Sequence, residues 1–161
     1  MKSTSPALTM AGALGLAFLQ TTLFTGRLRP DLVLVWVVAL SLACGSTISS
    51  QWAFWSGLFL DILSAAPFGV FTLSLLLVSF LVSLGESTIY RTSLFLPLLA
   101  GLMASTAYYL LLFFFLNTLG WQVPWWPAWH LVGLNVLVNT ALMPLAYKVA
   151  EACVQRAESR V

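Results

Sequence analysis

Few residues in this sequence have chemical capacity, and they are scattered. Asp61 is the one acidic residue well inside an apolar stretch, the segment from Ile48 to Ser64, which also carries Gln51 and Ser56. A carboxylate at the centre of a membrane helix costs about 2.5–3.5 kcal/mol on insertion scales, so it demands a partner. The next apolar stretch begins a few residues later, at Pro67-Phe68-Gly69. The first N–H groups of any helix lack intrahelical acceptors. The spacing therefore predicts that Asp61 accepts hydrogen bonds from that neighbouring helix start and pins the hairpin. A proton relay or an ion site is the sharper reading, since intramembrane acids mark such pathways. It would want a second buried ionisable group, and the sequence offers none.

The other polar residues read as packing or interfacial groups. His130 is the only histidine and lies beside a run of tryptophans, where an imidazole at the membrane surface needs no special role. Asn135 and Asn139 fall four apart on one helix face, with Asn117 ending the preceding stretch. Interhelical amide bonds of this kind are worth about 0.6–2 kcal/mol in membranes. Trp121, Trp125, Trp126 and Trp129 crowd one connection with Pro124 and Pro127. They suit an aromatic belt at headgroup level or a docking surface for an extracytoplasmic segment of a partner. Cys44 and Cys153 form neither a disulfide framework nor a clustered metal site. No Ser/His/Asp set, phosphate-cradling loop or paired carboxylates occur, and no catalytic activity, cofactor or metal is implied.

These residues sit in a chain built for lipid. Apolar residues make up 60% of its 161 positions and charged residues 7%, where a soluble domain carries about 25% charged residues. The net charge of +2 gives no nucleic-acid footprint. One crossing of ~30 Å of hydrocarbon consumes ~20 residues. The pattern predicts an all-α polytopic membrane protein, a single integral domain over residues 1–161 with about six transmembrane helices. The expected spans are residues 7–24, 30–43, 48–64, 67–84, 94–116 and 129–149.

Several local signals set these limits. The first stretch lacks a small-residue cleavage site before Gly26-Arg27-Leu28-Arg29-Pro30, so it reads as a retained helix. Pro30 and Asp31 suit the start of the second, and Pro97 the first turn of the fifth. Pro144 predicts a kink in the sixth. Small residues at four-residue spacing, Ala11 with Gly15 and Gly101 with Ser105, permit close helix approach. With six spans and a cytoplasmic N-terminus, Lys2, Arg91, Lys148, Arg156 and Arg160 fall inside and Arg27 and Arg29 outside. The positive-inside rule favours that orientation, with both termini in the cytoplasm.

The stretch from Pro30 to Leu84 resembles the family of the rod shape-determining protein MreD. The resemblance lies in Pro30-Asp31-Leu32-Val33-Leu34 at the start of the second stretch. It continues in Gly57, three residues, Asp61 and Ser64, then Pro67 and Gly69 in the following hairpin. It implies a non-catalytic scaffold of the bacterial cell-elongation machinery that binds MreC. Through MreC it would link MreB to RodA and a class B penicillin-binding protein. Pro30, Asp31, Gly57, Asp61, Ser64, Pro67 and Gly69 become the structural and interaction candidates. The family is also similar in fold to the substrate-binding components of energy-coupling-factor vitamin transporters. A vitamin-binding component is accordingly the alternative, and it would need a polar cavity near one membrane face.

Overall fold

In the computed structural model of the chain, the described residues are 6–23, 30–86, 95–121 and 124–158. Lys2, Arg27, Arg29, Arg91 and Arg160, which set the expected orientation, lie outside them. The described residues form six α-helices and no strand: α1 (Pro6–Leu23), α2 (Leu32–Cys44), α3 (Ser46–Leu63), α4 (Val70–Glu86), α5 (Phe95–Thr118) and α6 (Trp125–Glu158). Each falls on one of the six apolar stretches, and the first five keep the expected limits to within a few residues.

The sixth differs. α6 begins at Trp125 rather than at Trp129 and runs unbroken through Pro144 to Glu158. Pro127 stands in its first turn, where a proline removes no intrahelical hydrogen bond. Half of the tryptophan-rich connection is therefore helical.

Glycines make the turns tight. Gly45 alone separates α2 from α3 and holds φ at 77°, a left-handed conformation that a side chain disfavours. Gly120, with φ of 84°, closes α5. Its N–H bonds the Asn117 carbonyl at 3.1 Å and the Trp121 N–H bonds Leu116 at 3.0 Å, the paired bonds of a Schellman stop.

α2 is the centre of the bundle and touches each of the other five helices. Nine of its 13 residues, Val33 to Val35 and Val37 to Leu42, are buried. A helix that is apolar all round belongs in the middle of a bundle or in lipid. The other helices are apolar on their outer faces as well. Phe18, Ile62, Leu73, Phe80, Met103, Phe114 and Leu137 all point away from the protein. Water-soluble monomers rarely expose apolar patches beyond a few hundred Å², so hydrocarbon is the matching solvent. The windows Phe95–Thr118 and Trp129–Gln155 are each long and apolar enough to cross a membrane.

Polar contacts inside the bundle are small and local. The Ser79 hydroxyl donates to Ser49 at 3.0 Å and lies 3.4 Å from that of Ser41, joining α4, α3 and α2. Close helix approach rests on particular glycines. A Cβ on Gly57 would lie 2.5 Å from Thr72 Cα, on the backbone of α4. One on Gly101 would meet the Met143 side chain of α6 at 2.8 Å.

Gly57→Ala is expected to lower thermal stability in detergent, because backbone cannot yield as a side chain can; overpacking of this kind costs about 1–3 kcal/mol. Gly15→Ala, where a Cβ meets nothing within 4 Å, serves as the control and should not. Equal melting temperatures for the two variants would refute the close approach.

Candidate functional site

The first helix start, that of α4, is held by Asp61. Gly57 and Asp61 are four apart on α3 and share a face, so the glycine that admits α4 also aims the carboxylate at it. Asp61 is 4% exposed. Its Oδ1 accepts the Phe71 N–H at 3.0 Å, and its Oδ2 accepts the Thr72 N–H at 3.1 Å and the Thr72 hydroxyl. These are first-turn amides that α4 cannot satisfy itself. The positive end of the α4 dipole faces the negative charge.

Ser64, Pro67 and Gly69 shape the turn between. The Ser64 N–H still bonds the Leu60 carbonyl at 2.9 Å, and its hydroxyl accepts the Ala66 N–H at 3.0 Å. The Pro67 carbonyl takes the Val70 N–H at 3.4 Å, and Gly69 turns the chain with φ of 96°.

The second helix start, that of α2, is held by three other helices. Asp31 occupies the N-cap position but makes no side-chain bond to its own helix. Gln20 of α1 does this instead, its Oε1 accepting the Val33 N–H at 2.9 Å while its Nε2 donates to Asp31 Oδ1 at 2.9 Å. The Tyr109 hydroxyl of α5 donates to Asp31 Oδ2. Asn139 of α6, fully buried, accepts the Asp31 backbone N–H through Oδ1 at 2.9 Å. The amides of Asn135 and Asn139 also lie near the Tyr109 hydroxyl, although Asn139 Nδ2 makes no hydrogen bond. Pro30, just before, is buried.

The two pinned helix starts flank one cavity of about 440 Å³. Gln20, Asp31, Ser64, Tyr109 and Asn135 give it polar walls, and Leu63, Phe71 and Leu112 apolar ones, so five helices and the N-cap of α2 contribute. A second cavity, about 340 Å³ between α4 and α5, is lined by apolar side chains such as Val78, Leu99 and Ala104.

Of the residues singled out from the sequence, Asp31 and Ser64 line the polar cavity. Gly57 and Asp61 lie behind it, and Pro67 and Gly69 form the turn beside it. Asn135 and Asn139 belong to the same network, whereas Asn117 bonds its own helix at the Phe113 carbonyl. His130, Trp121 and Trp129 are exposed. Cys44 and Cys153 are not joined in a disulfide. No group of three metal-ligating side chains occurs among the described residues.

Gln20 and Tyr109, which both hold Asp31, are cavity residues that sequence reading missed. Gln20 carried a faint signal as a lone amide in an apolar helix. Tyr109 carried less, because a tyrosine in a membrane helix normally marks an interface.

An apolar exterior, interior polarity concentrated at helix starts, and two helices long enough to cross a bilayer define a small helical membrane protein. The chain belongs to the family of the rod shape-determining protein MreD, whose model matches residues 5–152. Its role accordingly lies in determining cell shape. No curated protein and no solved structure matches the chain.

Asp61→Leu should destabilise the α3–α4 hairpin by about 1–3 kcal/mol for each first-turn donor left buried without an acceptor. Asp61→Asn keeps one carbonyl oxygen and should lose roughly half as much. Thermal unfolding in detergent separates the two. An Asp61→Leu protein as stable as the parent would remove the pinning role.

Proposed function

We propose that the chain is a non-catalytic scaffold of the bacterial elongation machinery, a single integral domain of six spans with both termini in the cytoplasm of the inner membrane. In this reading it binds MreC and, with it, connects MreB to RodA and a class B penicillin-binding protein. The fold likeness to energy-coupling-factor components belongs to the same reading, as architecture without vitamin transport.

The observation that carries the site is the polar cavity at the α2 and α4 starts. Five basic residues expected inside against two expected outside favour an orientation with this mouth outward. An extracytoplasmic segment of MreC entering there meets acceptors and donors fixed by the bundle itself. Gln20, Asp31 and Tyr109 are each held by another helix, so little ordering is lost on binding. The family match supports the cellular role, and the cavity supports the place of contact.

Filling the cavity tests this without touching the pinning network. Ala65 lines it and is exposed, so Ala65→Trp should block entry and leave thermal stability near the parent value. Co-purification of MreC from native membranes should then fall at least about tenfold, as about 1.4 kcal/mol of lost binding gives. Full recovery of MreC with Ala65→Trp would place the contact elsewhere.

A further inference from the structure

The helices come in two heights. α2 and α3, both of whose ends lie among the described residues, have 13 and 18 residues, about 20 and 27 Å at ~1.5 Å per residue. Neither reaches the ~30 Å of a hydrocarbon core. α5 and α6, with 24 and 34 residues, come to about 36 and 51 Å on the same rise.

Hydrogen bonds show where part of the surplus lies. Tyr109 and Asn139 both hold Asp31, at the start of α2. Nine residues separate Tyr109 from Thr118, where α5 ends, and ten separate Asn139 from Trp129. Two independent anchors thus set the start of α2 about 13–15 Å below Thr118 and Trp129, measured along those helices. The end of α3 and the start of α4 lie near the same low level, since Ser64, Phe71, Tyr109 and Leu112 line one cavity.

Beyond that level the α5–α6 pair is only partly covered, with Leu111 and Leu112 the last to pack against the core. α5 buries none of its residues after Tyr108, and α6 none between Trp129 and Asn135. Leu110, Phe114 and Leu134 are 48%, 60% and 51% exposed. Helix surface this apolar belongs in hydrocarbon, and the exposed Trp121 and Trp129 at the tip suit the headgroup level. On the other side, Asp31 and Asp61 lie within a turn of the lower helix ends. Carboxylates there are costly under a full layer of acyl chains.

We propose that this stepped outer face distorts the bilayer: the outer leaflet stands at full height against α5–α6 and is thinned over α2–α4. Water and lipid headgroups then descend to the rim of the polar cavity. The inference rests on the membrane-spanning reading above and on no partner.

The test uses the full chain alone in vesicles of dioleoyl phosphatidylcholine, with Cys44→Ser and Cys153→Ser as background. Nitroxides are attached at Phe68→Cys, in the α3–α4 turn and 70% exposed, and at Phe114→Cys, one turn beyond Leu110 on α5. Their collisions with an aqueous nickel chelate and with oxygen are compared. A thinned leaflet makes the Phe68 site several-fold more accessible to nickel, and the Phe114 site more accessible to oxygen. Both sites dry means no thinning, and both wet means that the α5–α6 tip stands out of the bilayer; either overturns the proposal. Ala65→Cys repeats the measurement from the same turn should the Phe68 variant fold poorly. Because no MreC is present, failure here leaves the scaffold reading intact.

Discussion

The backbone amides at helix starts govern how this bundle is assembled. A helix leaves its first N–H groups without internal partners, and a hydrocarbon surrounding offers no water to take them. In this protein the acceptors for α2 and α4 come from neighbouring helices. Asp61 of α3 takes the first-turn amides of α4. Gln20 of α1 and Asn139 of α6 take those around the start of α2. Each such bond fixes a helix end in height and rotation, so the polar groups do more than satisfy one another. They set the register of the bundle.

That constraint explains why the polar cavity lies where it does. Side chains recruited to satisfy two helix starts gather at one level, and at that level the apolar packing around α2 gives way. Asp31 shows the consequence. Its backbone N–H is held by Asn139 and its carboxylate by Gln20 and Tyr109, and it still lines the cavity. A group held from three sides presents a fixed face to whatever enters. Elsewhere along α2 the contacts are mainly of Val, Leu and Ala, with Trp36 edge-on to Trp52 of α3 and one serine cluster among α2, α3 and α4.

Glycine placement is the complement of this polar scheme. Gly57 removes a Cβ where α4 must pass, one turn before the carboxylate that caps it. Without that approach Asp61 would be a buried charge with no donors in reach, the expensive case. The Gly-x-x-x-Asp spacing is therefore one device in two parts, approach and capping. Gly101 serves α5 and α6 in the first of these senses only, with Met143 packed against it.

The helical class, six apolar segments and the pairing of Asp61 with the next helix were legible because each depends on neighbours in sequence. Hydrophobic runs, turn glycines and a carboxylate ten residues before the amide that donates to it are short-range facts. So was the family, which Pro30-Asp31 and the Gly57–Gly69 pattern carry. Gln20, Tyr109 and Asn139 meeting around Asp31 was not legible, because those contacts join residues up to 108 positions apart. A lone amide or hydroxyl in an apolar helix looks the same whether it faces a partner or bonds its own backbone, as Asn117 does. Only the crossing of α1, α5 and α6 over the start of α2 decides which. The unequal heights of the two helix groups follow from the same crossings, since length in sequence says how long a helix is and tertiary hydrogen bonds say where it begins.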